Sequence, residues 1–178
     1  MNKQELTGYP SIDKPWLKYY TEEAINAPLP ECSIYEYILA NNKDHLDDIA
    51  LIYFNKKITY GKMFDMIDKT ASAFLSLGIK AGDTVTCLVL SQPETVYIVY
   101  ALNKIGVNIN LVNVLSSEKE IENSIDETNS NCIISLNLFS DRLKKILDKS
   151  NIKFLIELNL ADSLNQIYKF IINKKSTA

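Results

Sequence analysis

Short apolar runs alternate with amphipathic segments through the second half of the chain, and this pattern restricts the fold more than any other feature. Strand-like runs begin near Thr84, Val107, Asn131 and Asn151. Between them lie segments whose apolar residues recur every three or four positions, which is helical spacing. Short strands joined by single helices form right-handed βαβ units. The sequence therefore predicts an α/β fold, in which repeated βαβ units build a mainly parallel sheet flanked by helices.

The residues before the alternating region predict a helical leader and a β-hairpin. Residues 1–32 hold four of the five prolines, and we expect this leader to pack on the body through Trp16 and Tyr19. The run ALIYFN, then KK as a tight connection, then ITY predicts the hairpin. We assign residues 33–160 to the α/β subdomain. Residues 161–178, with one apolar face, are assigned to a terminal helix and truncation point.

Several residues mark the expected helix ends. A serine followed three positions later by glutamate predicts a capping box at three helix starts. These pairs are Ser33 with Glu36, Ser91 with Glu94, and Ser117 with Glu120. Thr59 predicts the start of a long helix that ends near Gly78. We expect its apolar face to contain Tyr60, Met63, Phe64, Ile67, Ala71, Phe74 and Leu75.

Charge and cysteine content exclude several classes of protein. The chain has 19 Lys and Arg against 22 Asp and Glu, and Arg142 is its only arginine. A net charge of −3 without a basic stripe does not favour nucleic-acid binding. Cys32, Cys87 and Cys132 are far apart, so we expect free thiols in a cytoplasmic protein. No segment is long and apolar enough to predict a transmembrane helix or a signal peptide.

The residues that carry catalytic or binding chemistry form no recognisable site. His45 is the only histidine, and a solvated position at a helix end explains it. The exit of the first parallel strand, SQPE, has no glycine and therefore no phosphate-binding loop. Ser116 and Ser117 could hold a phosphate at a helix start, but a capping box explains both. Asp83 precedes its strand and is interpreted as a turn residue instead of a metal ligand. We therefore predict no catalytic, cofactor-binding or metal-binding residue.

Asparagine recurs along the second parallel strand, at Asn108, Asn110 and Asn113. These side chains could line a polar surface. Because the whole chain is rich in asparagine, we adopt the simpler interpretation, a bias in composition without a local role.

Two long segments carry a distinctive order of residues. KITYGKMFDMIDKTASAFLSLGIKAGDTV and LSQPETVYIVYALNKIGVNINLVNVLSSEKEI resemble the N-terminal part of AMP-forming acyl-CoA ligases, in the adenylate-forming superfamily. The matching positions are Thr59, Tyr60, Gly78, Ile79, Gly82, Asp83, Val85, Pro93, Glu94, Ala101, Lys104, Gly106, Asn113, Ser117, Glu120 and Ile121. The openings IDKPWLKYY and PECSIYEYI look like the leader of the fatty-acyl-CoA ligase branch. The chain departs from the family at Lys62, commonly Glu, and at Leu111 and Val114, commonly proline.

The resemblance implies a parent enzyme that uses ATP, Mg²⁺ and coenzyme A to convert a carboxylic acid, here a fatty acid, into its acyl-CoA. The matched positions are scaffold positions in that family, and its phosphate loop, acidic residues and catalytic lysine lie downstream of them. We therefore expect part of a larger adenylate-forming N-terminal domain, inactive alone and without a bound cofactor. Its expected partners are the remaining subdomains of the ligase, or a second copy of the fragment.

Two other interpretations stay open. One is a fragment of an enzyme that adenylates an amino acid or aryl acid and loads it onto a carrier protein, although the leader around Trp16 favours coenzyme A. The other is a stand-alone, non-catalytic α/β interaction module derived from such a ligase.

Overall fold

The computed structural model describes residues 6–147, 152–159, 162 and 164. The chain divides into two compact units, Met1–Glu31 and Cys32–Ala178. The first unit contains helix α1 (Pro10–Asp13), a 3₁₀ turn (Pro15–Tyr19) and helix α2 (Glu22–Asn26). The packing of the leader on the body remains a prediction.

The second unit contains a parallel four-stranded sheet and an antiparallel hairpin. Its elements are α3 (Ile34–Asn42), β1 (Ile49–Tyr53), β2 (Lys56–Thr59), α4 (Tyr60–Ser76), β3 (Thr84–Leu88), α5 (Pro93–Lys104), β4 (Asn108–Leu111), α6 (Glu118–Thr128), β5 (Cys132–Leu136), α7 (Ser140–Leu147) and β6 (Phe154–Leu158). The sheet order is β4-β3-β5-β6, and all three pairings are parallel. The predicted α/β fold with βαβ units is confirmed.

The hairpin connection differs from the prediction. Phe54 and Asn55 form the turn, with positive φ angles of 45° and 64°, and Tyr53 pairs with Lys56. A two-residue turn with positive φ at both positions matches the twist of the flanking strands. The KK pair, expected to be the connection, lies inside β2 instead. Asparagine tolerates the left-handed conformation, so Asn55 was the better signal for the turn.

The helix starts confirm two of the three predicted capping boxes. Ser33 and Ser117 each accept the predicted backbone amide, and the glutamate three positions on bonds back to the serine amide. The box predicted at Ser91 is wrong. Helix α5 begins at Pro93, and Gln92 is its N-cap residue, without a side-chain cap. Proline at the first helical position fixes the start of the helix, because its φ angle is already helical and it has no N–H to satisfy.

Helix α4 largely follows its predicted pattern. Its N-cap, Thr59, accepts a hydrogen bond from the Lys62 amide at 3.3 Å. Gly78 follows the helix with φ of +83° and donates to the Leu75 carbonyl. The buried members of the helix are Met63, Phe64, Ile67, Ala71 and Phe74. Leu75 is exposed, contrary to prediction, because it lies further around the helix from Ile67 than any other expected member of the face.

Two apolar layers cover the two faces of the sheet. Alternate strand residues point to opposite faces, so Val85 and Cys87 belong to the core formed with α4 and α5. Leu88 and Ile133 belong to the second core, formed with α6 and α7. Within the described residues, no helix is long and apolar enough to cross a bilayer. The terminal helix predicted over residues 161–178 lies outside the described residues, apart from positions 162 and 164.

Candidate functional site

The carboxyl ends of the four parallel strands lie at one edge of the sheet, which is where open α/β sheets bind ligands. A cavity of about 290 Å³ lies at the ends of β3 and β4, lined by Leu90 and Leu111 among others. A second cavity, of about 310 Å³, lies between β1 and the start of α5. Ser91 borders both cavities. This edge, with its two cavities, is the candidate site.

Leucines make the candidate site unusually apolar for a surface. Four exposed leucines lie at or just after strand ends, and we call them the leucine rim: Leu90, Leu111, Leu115 and Leu138. Leu115 and Leu138 keep 85% and 71% of their surface exposed. Single exposed leucines are common, so it is the grouping of four at one edge of the sheet that distinguishes this surface.

Three polar side chains near this edge are already used within the fold. The Thr95 hydroxyl donates to the Leu90 carbonyl at 2.5 Å. Asn113 accepts a backbone amide inside its own loop at 2.9 Å. Arg142 donates to the Val114 carbonyl at 3.0 Å. The one guanidinium of the chain therefore positions a loop, and does not stand ready to bind a phosphate.

Gln92 differs from these three side chains. It lies at the start of α5 with only 4% of its surface exposed. Among the described residues, neither its side-chain nitrogen nor its side-chain oxygen has a hydrogen-bond partner. A buried polar group without a partner costs about 1–3 kcal/mol. No sequence pattern points to this residue, because a capping box at Ser91 would place Gln92 inside the helix, whereas Gln92 is the N-cap residue.

A polar network, defined here as Thr86, Asn110, Ser124, Thr128 and Ser130, joins β3, β4 and α6. The Asn110 side-chain nitrogen lies 3.0 Å from both the Thr86 and the Ser124 hydroxyl oxygens. The Thr86 hydroxyl donates to Ser130 at 2.7 Å, and Ser130 lies 2.9 Å from Thr128. The assignment of Asn110 to compositional bias was therefore wrong. Its amide holds α6 against the sheet, below the candidate site.

Lys104, one of the family-like positions, holds three helices together. Its ammonium nitrogen lies 2.6 Å from the Asp68 carboxylate and 3.1 Å from the Tyr35 hydroxyl. It also lies 4.6 Å from the centre of the Tyr35 ring. Desolvation lowers the Lys104 pKa, but the hydrogen bonds to Asp68 and Tyr35 outweigh it and raise the pKa overall. Lys104 is therefore a charged structural link between α3, α4 and α5.

The other candidates from the sequence lie away from one another. His45 is exposed, just after α3, and its ring nitrogen lies 3.0 Å from Asp48. The Asp83 carboxylate accepts the Lys80 amide at 2.9 Å, which confirms its role in a turn. All three cysteines are free. Burial raises the pKa of Cys87 and Cys132 to about 12, so neither thiol is a nucleophile at neutral pH.

Several known proteins are similar to this chain in sequence. Residues 39–172 match the family described as AMP-binding enzyme. Over 130 residues the chain is 31% identical to an acetyl-coenzyme A synthetase of Bartonella henselae, which covers 70% of this chain and 20% of that protein. Over 166 residues it is 21% identical to a long-chain-fatty-acid–CoA ligase of Escherichia coli O6:H1, which covers 91% of this chain and 29% of that protein. The chain thus spans less than a third of the length of these relatives.

A solved structure shares the same fold. A benzoate CoA ligase from Burkholderia xenovorans LB400 superposes with a TM-score of 0.67 at 16% identity. The similar region covers 72% of this chain and 26% of the other. At this level of identity the similarity concerns the fold alone.

Proposed function

Since the chain belongs to the AMP-binding enzyme family, we propose that it is the N-terminal portion of an AMP-forming ligase that joins a carboxylic acid to coenzyme A. The observation that carries this proposal is the family match, which runs from the end of α3 through β6. Two of its relatives, an acetyl-coenzyme A synthetase and a long-chain-fatty-acid–CoA ligase, support the choice of acid and acceptor.

In the proposed reaction, the acid carboxylate attacks the α-phosphorus of ATP and releases pyrophosphate, which gives an acyl-adenylate. The thiol of coenzyme A then takes the acyl group and AMP leaves. The transition state of the first step needs cations or backbone amides around the phosphates. The role we propose for this chain is to build the scaffold on which those groups are mounted.

The residues that the structure describes do not form a binding site for a nucleoside triphosphate. The loop after β3 has no glycine that would let backbone amides approach a phosphate, and Arg142 is engaged with Val114. Within residues 6–147 and 152–159, no group of three His, Cys, Asp or Glu side chains could hold a metal ion. We therefore propose that ATP, Mg²⁺ and coenzyme A bind elsewhere in the parent enzyme, and that this chain contributes no catalytic residue.

An exchange assay tests the proposed inactivity. We expect the 178-residue chain to catalyse no Mg²⁺-dependent exchange of pyrophosphate into ATP with acetate, benzoate or a fatty acid. A complete CoA ligase in the same buffer serves as the positive control. Exchange that rises with the concentration of the chain, above a protein-free blank, would contradict the proposal.

For the acid itself, we propose a fatty acid. A long-chain ligase match covers 91% of the chain and an acetyl-coenzyme A synthetase match covers 92%, so both include part of the leader. The leader-like sequence around Trp16 supports the fatty acid. The alternative is an aryl or amino acid, and a benzoate ligase shares the fold. We further propose the division into a leader (1–32), an α/β subdomain (33–160) and a tail (161–178). The three free thiols support a cytoplasmic location.

A second candidate is the stand-alone interaction module, which should expose few large apolar patches. The exposed leucine rim favours the ligase portion instead, because such a portion leaves exposed the surface that the remaining subdomains would cover. We expect the isolated chain to dimerise through this edge at micromolar concentration, and light scattering would measure the mass. Replacing Leu115 and Leu138 together by lysine should return it to a monomer. The matched control replaces Ile25 and Leu29 of the leader by lysine. If the Leu115 and Leu138 double variant still dimerises, the assignment of the dimer contact to the leucine rim is wrong.

A further inference from the structure

A third cavity, of about 360 Å³, lies at the amino ends of β5 and β6, at the opposite edge of the sheet from the candidate site. Asp126 and Asn129, from the end of α6, line one part of it. Asn131 and Lys153, each directly before a strand, line another part. The volume is at the lower end of the range for small-molecule sites.

Local structure brings these residues together. Helix α6 ends at Thr128, and Asn129 follows it in the left-handed conformation, with φ of +49°. The Asn129 amide donates to the Asp126 carbonyl at 3.2 Å and closes the turn. The Lys153 amide donates to the Asn131 carbonyl at 2.8 Å, as β6 begins to pair with β5. Strand pairing therefore brings Lys153 to a cavity that the end of α6 also lines.

Two opposite charges line this cavity without neutralising each other. Among the residues that the structure describes, no salt bridge includes either Asp126 or Lys153. The Asp126 carboxylate and the Lys153 ammonium therefore lie more than 4.0 Å apart. Both side chains are exposed, so a molecule in the cavity can reach the two charged groups.

The end of α6 is a second reason for a cation to bind beside Asp126. Carbonyl groups at the C-terminus of a helix carry partial negative charge, and lysine or arginine in the last turn commonly balances it. The last turn of α6 contains Asp126 and Glu127 and no basic residue. An ammonium group from outside the chain would be stabilised by the Asp126 carboxylate and by the helix end together.

We propose that this cavity binds a free amino acid as its zwitterion. The ligand ammonium donates to the Asp126 carboxylate at the end of α6, and the ligand carboxylate accepts from the Lys153 ammonium. A simple anion would be repelled by Asp126, and a simple cation would be repelled by Lys153. A neutral molecule would leave both charges unmatched. The proposal stands whether or not the parent enzyme is a CoA ligase, because neither residue belongs to the candidate site.

Titration of the ¹⁵N-labelled chain with three matched probes, followed by NMR, tests the proposal. L-Alanine has both charges, propionate lacks the ammonium group, and ethylamine lacks the carboxylate. We expect L-alanine to give a saturable shift of the backbone amides of Asn129, Asn131 and Lys153. Propionate and ethylamine should each bind at least about tenfold more weakly, a difference of about 1.4 kcal/mol. Equal binding of all three probes, or no saturable shift with L-alanine, would overturn the proposal.

Two variants assign the charges to their residues. Asp126→Asn and Lys153→Gln each remove one charge and keep the size of an exposed side chain. We expect Asp126→Asn to lose the preference for L-alanine over propionate, and Lys153→Gln to lose the preference for L-alanine over ethylamine. A general loss of structure would not produce these opposite changes.

The matched controls are Asp47→Asn and Lys57→Gln, which remove exposed charges that do not line the cavity. Both should bind L-alanine as the unchanged chain does. If Asp126→Asn and Lys153→Gln kept the preferences of the unchanged chain, as the controls should, the proposal would be wrong.

Discussion

Replacing Ile133 by alanine is expected to lower the free energy of unfolding by about 3–4 kcal/mol, close to the upper part of the range for buried Ile→Ala changes. Ile133 is completely buried in β5, between the two neighbouring strands. Its side chain belongs to the core shared with Ile121 of α6 and Leu143 of α7. The cavity left by alanine removes contacts with both helices. Urea unfolding followed by circular dichroism would measure the loss.

Two control variants make this result specific. Ile133→Val removes one methylene group and should cost only about 0.5–1.5 kcal/mol. Ile34→Ala, the same substitution at an exposed position at the start of α3, should change stability by less than about 0.5 kcal/mol. If Ile133→Ala cost no more than Ile34→Ala, α6 and α7 would not cover this face of the sheet as described.

Replacing Asn110 by alanine is expected to cost about 2–3 kcal/mol, since it removes a hydrogen-bonding side chain from the polar network and leaves the Thr86 hydroxyl oxygen without the donor it accepts from. Thr86 is completely buried, so its hydroxyl cannot turn to solvent. Asn108 lies on the same strand but is exposed, and Asn108→Ala is therefore the matched control, with an expected effect of less than about 0.5 kcal/mol.

A double variant shows whether the cost comes from lost partners. Thr86→Val with Asn110→Leu replaces both members of the hydrogen-bonded pair by apolar groups, and the double variant should be more stable than the sum of the single effects predicts. We expect a coupling of about 1 kcal/mol or more in the double-mutant cycle. Strictly additive effects would mean that Asn110 contributes packing and no hydrogen bond to Thr86.

The network shows where prediction from the sequence ends. Apolar periodicity correctly located the four parallel strands and the helices between them, because it reports which face of an element is buried. Thr86 and Asn110 are 24 positions apart, and they meet only because β3 pairs with β4 in the register that places them opposite each other. The available signal was a single polar residue inside an apolar strand, Thr86 in TVTCLVL. The register of strand pairing decides which residue lies opposite such a polar residue, and a single sequence does not reveal that register.

The family-like motifs were more informative about the identity of the protein than the local hydrophobic patterns were. The match to AMP-binding enzymes confirms the resemblance at the level of the family, and the structure explains two of its positions. Lys104 links three helices, and Gly106 has φ of +74° with Ala81 only 3.2 Å from where a Cβ would lie. Both are scaffold roles, which is what the family resemblance implies for these positions. Gln92 could not be found this way, since an unpaired buried amide is visible only once its surroundings are built.

The strand order has a consequence for how the protein is made on the ribosome. After β3 emerges, β4 pairs with one side of it, β5 with the other, and β6 with the free side of β5. No strand has to be inserted between two earlier ones. Each newly translated strand therefore pairs with an exposed edge of the strands already made. Chains fold from the N-terminus during synthesis where their contacts permit. This sheet can thus grow outward from β3 in step with translation, as a platform for any residues that leave the ribosome later.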